Sequence, residues 1–144
     1  KVTFHNNKMN LVDSLTILIT EGVANSTIKD AITNKHVCHL RYMNDDKLPR
    51  GSEHRVVHPV AYGMSNGKKP NPVVRAYQTS GPSLKVNEKG VPLPDWRLFR
   101  VDRMDSFAPI SGDGEEIFKT FNEPPMYNKV DDKSMSRMDY NSKF

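Results

Sequence analysis

Apolar side chains recur at helical spacing in the first third of the chain. A helix is predicted from Asn10 to Gly22, because Asn is a favoured N-cap residue and Gly often follows a helix end. The residues on its apolar face are Leu11, Leu15, Leu18 and Ile19. A second, shorter helix is predicted from about Ser26, and its inward residues are Ile28, Ala31 and Ile32.

Beyond residue 36, apolar and polar positions alternate in short segments, which is typical of β-strands. Five strands are predicted, at residues 37–43, 54–62, 73–79, 96–103 and 105–110. Pro59 demands an edge, a bend or a bulge in the second of them. Helices followed by short, bent strands indicate the α+β class, with N-terminal helices and then a small, strongly bent five-stranded β-barrel.

The C-terminal residues lack the apolar side chains that a core of their own requires. Pro124 and Pro125 interrupt them, and charges are spread evenly through residues 123–144. The chain is therefore divided into an N-terminal arm and helix (1–25), a barrel domain (26–111) and a C-terminal extension (112–144). We expect a protein partner or a second copy of the chain to hold residues 123–144 through their sparse large side chains: Met126, Tyr127, Met135, Met138, Tyr140 and Phe144.

The charge distribution is more informative than the net charge of +4. Residues 54–104 carry nine Lys/Arg against three Asp/Glu, whereas residues 105–144 carry five against eight. The predicted barrel is therefore basic and the extension acidic. A single cysteine, Cys38, excludes an internal disulfide and alternates with Leu40, so we interpret it as a small buried hydrophobic residue. No apolar run has transmembrane length, and no membrane partner is expected.

Three arginines fall within one short apolar segment, at Arg97, Arg100 and Arg103. Guanidinium groups are always charged and present a fork of donors that suits phosphate or carboxylate. The segment therefore suggests that the domain holds an anion, of which nucleic acid is the commonest. The alternative is that these are surface arginines paired with neighbouring acidic residues. Strand alternation places Arg97 and Arg100 on opposite faces, so a bulge would have to re-aim one of them.

The order of several motifs resembles that of WYL domains, a family of bacterial and phage modules with an Sm-like or SH3-like small barrel. The matching elements, in chain order, are Ala31-Ile32, Arg41-Tyr42, Arg55-Val56-Val57-His58-Pro59, Val74-Arg75-Ala76-Tyr77 and Arg97-Leu98-Phe99-Arg100-Val101-Asp102-Arg103-Met104. The Trp-Tyr-Leu motif that names the family aligns with Pro72-Val73-Val74, so its aromatic side chains are missing. The resemblance covers residues 26–110 and implies a free-standing module of phage type.

The resemblance implies a non-enzymatic, regulatory module that binds single-stranded nucleic acid or a nucleotide through an arginine-lined site. The candidate ligand-binding residues are Arg55, His58, Arg75, Tyr77, Arg97, Arg100 and Arg103. Tyr77 is included because an aromatic ring can stack on a base. We predict no catalytic residues and no cofactor, because phosphate-binding glycine loops, nucleophile elbows and paired carboxylates in an apolar setting are missing. The spacings of His36 and His39 and of His54 and His58 do occur at metal sites. No metal site is predicted, however, because His36 and His39 would point to opposite faces of a strand and no Cys or carboxylate stands at a matching position.

The alternative function is a phage structural or assembly protein, in which the barrel serves as a docking unit of a virion or complex. A weaker option is a modulator of a host nucleic-acid enzyme. The expected location is accordingly the cytoplasm of a bacterial host or a phage virion.

Overall fold

The computed structural model describes residues 23–43, 54–82, 90, 93–112 and 117–144. Within them the chain forms one α-helix, α1 (Asn25–Asn34), and six β-strands. The strands are β1 (Cys38–Tyr42), β2 (Arg55–Ser65), β3 (Pro72–Ser80), β4 (Asp95–Arg100), β5 (Met104–Pro109) and β6 (Met135–Asn141). The helix predicted over residues 10–22 lies outside the described residues. No helix in the described part of the chain is long and apolar enough to cross a membrane.

Helix α1 occurs where the second helix is predicted, and its three inward residues, Ile28, Ala31 and Ile32, are fully buried. Their spacing of three and four residues places them on one face of the helix. The helix ends at Lys35, which adopts the left-handed conformation (φ 58°) and donates its backbone N–H to the carbonyls of Ala31 and Ile32. The chain then reverses into β1.

The strands form one antiparallel sheet in the order β4-β3-β2-β1-β5, and β6 pairs separately with β2. Strand β2 is long enough to serve two neighbours on one edge: residues 55–57 pair with β1, and residues 61–65 pair with β6. Its other edge pairs with β3. The predicted irregularity at Pro59 is confirmed, because the β2–β3 register shifts between Pro59 and Ala61. A proline has no N–H to give to a ladder and is tolerated at such a shift.

The sheet is curved but open. Strands β4 and β5 are the two ends of the five-strand path, yet only the 3-10 helix Val101–Arg103 joins them. Three residues of 3-10 helix advance about 6 Å, whereas four strand spacings would separate the edges of a flat sheet by about 19 Å. The sheet must therefore curl, but no ladder pairs β4 with β5 among the described residues.

The predicted fold class is wrong in two respects. The described chain is an open, six-stranded antiparallel sheet with one helix, and not a closed five-stranded barrel preceded by helices. The sixth strand, Met135–Asn141, comes from the extension. The predicted fourth strand, 96–103, also ends early, at Arg100, and its last three residues are the 3-10 helix. Alternation along a strand reveals which face is buried, but it carries no information on whether the outer edges pair.

Two hydrophobic clusters lie on opposite faces of the sheet. Val74 and Ala76 of β3 belong to the first cluster and Val73 to the second, and neighbouring side chains of a strand point to opposite faces. The first cluster includes α1 and a fully buried Cys38, as predicted; burial raises the pKa of its thiol to about 12. The second cluster consists of Val37, Val60, Ala61, Val73, Phe121 and Met135.

The extension contributes to the core of the sheet and does not depend on a core of its own. Phe121 and Met135 are buried in the second cluster, and Ser142 is almost fully buried, donating its hydroxyl to the carbonyl of Ile32 at 2.7 Å. Tyr140 stacks on Tyr62 with ring centroids 4.7 Å apart. The extension packs on its own sheet, so no second chain is needed to hold it. A protein partner for residues 123–144 stays a prediction.

Substitution of Gly63 by Ala should destabilise the fold at the β2–β6 ladder. A Cβ atom at this position would collide with the backbone carbonyl of Arg137 and press on the sulfur of Met135. We expect a loss of about 1–3 kcal/mol in the free energy of unfolding, measured by denaturant titration. Lys68→Ala, an exposed change in the turn that follows β2, is the control and should cost under about 0.5 kcal/mol. Equal stability of Gly63→Ala and the wild type would contradict the ladder.

Candidate functional site

Arg55 and Arg97 are buried on the sheet face that carries the first cluster. Arg55 is 5% exposed, donates from Nη1 to Oε1 of Gln78 at 3.2 Å, and lies 5.5 Å from the ring centroids of Tyr42 and Phe99. Arg97 is 7% exposed and donates from Nη1 to the carbonyl of Trp96 at 2.8 Å. Both guanidinium groups are therefore built into the protein interior.

Two of the three arginines of the segment 97–103 have carboxylate partners. Arg97 forms an ion pair with Asp95 at 3.1 Å, and Arg100 forms two hydrogen bonds to Asp102, at 3.0 and 2.7 Å. The hydrogen bond from Arg100 holds the pKa of the Asp102 carboxyl below its usual range. Arg103 is exposed and has no ion-pair partner among the described residues. The alternative that these arginines pair with nearby acids thus fits Arg97 and Arg100.

Arg75 links the sheet to the extension. Its guanidinium donates from Nε and Nη2 to the two carboxylate oxygens of Asp132, at 2.6 and 3.0 Å, and both side chains are mostly buried. Burial alone would raise the pKa of Asp132, but the hydrogen bonds from Arg75 and Ser134 outweigh it, so the pKa lies below its usual range. A bidentate pair of this kind fixes both the orientation of the guanidinium relative to the carboxylate and the distance between them.

The seven predicted site residues do not converge on one cradle. Arg55 and Arg97 lie on one face of the sheet. Arg75, Tyr77 and His58 lie on the side covered by the extension, while Arg100 and Arg103 lie at the β4–β5 junction. The separation of Arg97 from Arg100 follows the strand alternation, since no bulge in β4 re-aims either side chain.

His58 and Tyr77 belong to a closed circuit of six aromatic rings that the sequence did not reveal. Going round the circuit, the rings are His58, Phe121, Phe144, Tyr127, Trp96 and Tyr77. Successive ring centroids lie between 4.8 and 6.3 Å apart. Three of the rings come from the sheet and three from the extension, so the circuit fastens the extension to the sheet.

Two hydrogen bonds reinforce the circuit. The indole Nε1 of Trp96 donates to the carbonyl of Pro125 at 2.9 Å, and the hydroxyl of Tyr127 donates to the carbonyl of Val60 at 3.1 Å. Burial raises the pKa of Tyr127 to about 12, with Glu123 and Asp132 adding to the shift. Tyr127 therefore remains a neutral donor throughout the physiological range.

Beside the circuit lies a cavity of about 270 Å³, between the sheet and residues 126–133 of the extension. Its lining combines aromatic, thioether and charged side chains: Arg75, Trp96, Met126, Tyr127, Asn128, Asp131, Asp132, Lys133 and Met138, together with Ala61. Of the predicted site residues, only Arg75 lines it.

A second feature is a surface of exposed rings and lysines where the end of α1 meets the extension. We call it the basic–aromatic surface and define it as Lys35, His36, Phe118, Lys119, Lys143 and Phe144. The rings of Phe118 and Phe144 are each 39% exposed. Phe118 packs against His36 with ring centroids 4.9 Å apart, and Nζ of Lys35 lies 4.9 Å from the centroid of Phe144.

Backbone pairing brings the parts of this surface together. His36 forms a β-bridge with Thr120, and the N–H groups of Val37 and Phe121 donate to the carbonyls of Lys119 and Lys35. None of its three lysines forms an ion pair with a described residue. Sequence reasoning missed the surface because its rings and lysines are divided between residues 35–36, 118–119 and 143–144.

No family model, curated protein or solved structure matches this chain. The resemblance to WYL domains therefore rests on the sequence motifs alone. Within the described ranges, no three His, Cys, Asp or Glu side chains come together in an arrangement that could hold a metal ion.

The stability of the fold should fall as the pH drops below about 6.5, in part because of His58. Burial lowers the pKa of His58, whose ring stacks on Phe121 at 4.8 Å and faces Tyr77. Between the unfolded pKa of about 6.5 and the lower folded pKa, the unfolded chain takes up a proton that the folded chain does not. The stability that depends on a neutral His58 is therefore fully present above about pH 6.5 and is lost as the pH falls from there toward the lower pKa of the folded state.

His58→Phe keeps a ring in the circuit and removes the titration. The free energy of unfolding, measured at pH 7.5, 6.5 and 5.5, should decline less for His58→Phe than for the wild type. His54→Phe is the control, because His54 is exposed and lies outside the circuit. Parallel declines in the wild type and His58→Phe would show that His58 does not contribute.

Proposed function

We propose that this chain is a non-enzymatic module that binds single-stranded nucleic acid or nucleotides, and that it does so through the basic–aromatic surface. The observation that carries the proposal is a pair of partly exposed rings in a region that also holds lysines without ion-pair partners in the described structure. Nζ of Lys35 lies 4.9 Å from the centroid of Phe144, and the exposed Lys119 follows Phe118 in the chain. Each ring offers a face on which a base can stack, and each lysine can meet a phosphate.

The chemistry of single-strand binding matches these residue types. Stacking of a base on an aromatic side chain contributes about 1–3 kcal/mol and tolerates any sequence. Each phosphate that a lysine neutralises releases counterions and makes the affinity salt-dependent. The six residues that define the surface include two phenylalanines and three lysines and no acidic side chain.

The lysines, rather than the predicted arginines, are the better candidates for phosphate contacts. Three of the predicted arginines already form ion pairs: Arg75 with Asp132, Arg97 with Asp95 and Arg100 with Asp102. A phosphate would have to displace a carboxylate that is held by hydrogen bonds, two of them in the case of Arg75 and of Arg100. Arg103 keeps its place as a candidate, because it is exposed and forms no ion pair within the described residues.

The proposal is tested by fluorescence anisotropy with a labelled 12-residue oligothymidylate at several salt concentrations. The wild type should bind, and the logarithm of its association constant should fall linearly with the logarithm of the salt concentration. The double variant Lys119→Ala/Lys143→Ala should lower that slope by about 1.4, at about 0.7 for each phosphate on a single strand. Phe118→Ala should weaken binding about tenfold, through lost stacking, and leave the slope unchanged.

The matched control is Lys68→Ala/Lys69→Ala. These two exposed lysines lie in the turn between β2 and β3, outside the basic–aromatic surface. Removing them takes away the same charge and should change the slope little. An equal loss in both double variants would mean that binding follows net charge alone, which would overturn the assignment of the surface. Lack of binding by the wild type at low salt would overturn the proposed function.

The second candidate function is a docking unit in a phage virion or another assembly. The observation that favours it is a set of large apolar side chains left in solvent on the extension: Ile117 (60% exposed), Met126 (91%) and Val130 (85%). If the wild type fails to bind oligonucleotides and sedimentation shows concentration-dependent self-association, this candidate takes precedence. The first candidate places the protein in the cytoplasm of a bacterial host, and the second in the virion.

A further inference from the structure

The cavity beneath the extension has walls suited to a flat ring. The indole of Trp96 and the phenol of Tyr127 both line it, and the thioethers of Met126 and Met138 complete the apolar part. Thioethers are flexible and polarizable, and they pack well against aromatic rings. At about 270 Å³ the cavity lies just below the range of roughly 300–1,000 Å³ typical of pockets for drug-sized ligands. Its size suits one ring system rather than a long ligand.

The cavity is contiguous with the basic–aromatic surface. The ring of Phe144, which belongs to that surface, contacts the ring of Tyr127 with centroids 6.0 Å apart. Tyr127 in turn lines the cavity and packs on Trp96 at 6.0 Å. Only the ring of Tyr127 separates Phe144 from the cavity. A nucleic-acid strand with one base stacked on Phe144 could therefore place a neighbouring base inside the cavity.

The polar groups at the cavity differ in whether they already form hydrogen bonds or ion pairs within the protein. Both oxygens of Asp132 accept hydrogen bonds from Arg75, so this carboxylate is committed. Asp131 is exposed and has no ion-pair partner among the described residues; one of its oxygens accepts a hydrogen bond from the amide of Asn128. Lys133 is exposed and likewise unpaired there. The cavity thus offers a carboxylate whose Oδ2 accepts no hydrogen bond from a described residue and whose Oδ1 already accepts one, together with one ammonium group without an ion-pair partner there.

We propose that this cavity binds a guanine base, stacked on Trp96, with the carboxylate of Asp131 accepting from its N1–H and N2–H groups and Lys133 donating to its acceptors. Oδ1 of Asp131 also keeps the hydrogen bond from Asn128, since a carboxylate oxygen can accept two. Guanine carries two adjacent donors on one edge and the O6 and N7 acceptors beside them. Adenine and cytosine present a single exocyclic amino donor, and thymine a single ring N–H, so none of them satisfies a carboxylate with two bonds. The inference rests on the proposed function, since it names the base that the bound strand presents.

One residue that lines the cavity has an unusual backbone conformation. Met126 has φ 59°, a region that non-glycine residues rarely adopt, and its side chain is 91% exposed although it lines the cavity. The carbonyl of the preceding residue, Pro125, is held by Trp96 at 2.9 Å. A large thioether is therefore kept at the rim, where it can cover the outer face of a base that stacks on Trp96.

Trp96 provides a specific probe, because it is the only tryptophan of the chain. Guanosine 5′-monophosphate should quench its fluorescence at lower concentration than the adenosine, cytidine and uridine monophosphates do. In anisotropy experiments, a 12-residue oligothymidylate with one central deoxyguanosine should bind about tenfold more tightly than oligothymidylate itself, consistent with one base read by two hydrogen bonds.

Asp131→Asn tests the recognition of the base. The amide replaces one acceptor by a donor, so the tenfold preference for the guanine-containing strand should disappear. Binding of plain oligothymidylate should not weaken, because the change removes a negative charge that repels the strand. Asp105→Asn is the control, because Asp105 is an exposed carboxylate on β5 that does not line the cavity. It should keep the preference. Thermal melting of both variants verifies that they remain folded.

The outcomes separate this inference from the proposed function. If plain and guanine-containing strands bind equally well, or if Asp131→Asn keeps the preference, the cavity does not read guanine, and the inference is overturned while strand binding stands. If the wild type binds neither strand at low salt, the proposed function fails, and the inference fails with it.

Discussion

The pairing of β6 with the distal half of β2 is the constraint on which the rest of the structure depends. It brings a segment far along the chain back to the centre of the sheet, where residues 61–65 of β2 would otherwise leave one edge unpaired. Gly63 permits the close approach, because any side chain there would meet the carbonyl of Arg137. Once β6 is in place, Phe121 and Met135 are buried, and each large apolar side chain buried in this way contributes about 1.5–3 kcal/mol.

The arginines illustrate how the same residue type serves structure or recognition according to its partner. Arg75 holds Asp132 with a two-pronged hydrogen bond and so fixes the loop that forms one wall of the cavity. Loss of either partner would leave a largely buried charge uncompensated, which costs more than the pair itself contributes. Such arginines are poorly available to a ligand. The exposed lysines, which keep their charge free of ion pairs in the described structure, are the groups left for a polyanion.

The local elements were predictable because their signals are local. Helical spacing of Ile28, Ala31 and Ile32 indicated α1, and period-two alternation indicated β1, β2, β3 and β5 to within a few residues. Strand β6 was not predictable in this way. Met135 and Met138 are three residues apart, and polar residues occupy most of the strand, so neither the strand nor the helix period stands out. Its stability derives from pairing with β2, a tertiary effect that no local pattern records.

The candidate site was harder to predict than the fold for the same reason. His58 and Tyr77 are predicted ligand residues, but neither lines the cavity or belongs to the basic–aromatic surface; their rings pack on Phe121 and Trp96. The cavity and the basic–aromatic surface each draw side chains from segments that are distant in sequence, as with Trp96 and Tyr127 or Lys35 and Phe144. The residue types indicate anion binding, but only the three-dimensional arrangement shows which cations already form ion pairs with carboxylates of the chain.

Both proposed ligand features lie across the seam between the sheet and the extension, and this position couples ligand binding to folding. Lys119, Lys143 and both exposed rings of the surface come from residues 117–144, as do Tyr127 and Asp131 of the cavity. If the extension detaches, neither feature exists. The apparent dissociation constant therefore equals the intrinsic one divided by the fraction of molecules in which the extension is docked. By the same linkage, a bound strand stabilises the docked state. Variants that loosen β6 without touching the ligand residues should consequently weaken binding only as far as they lower that fraction, and saturating ligand should restore their stability.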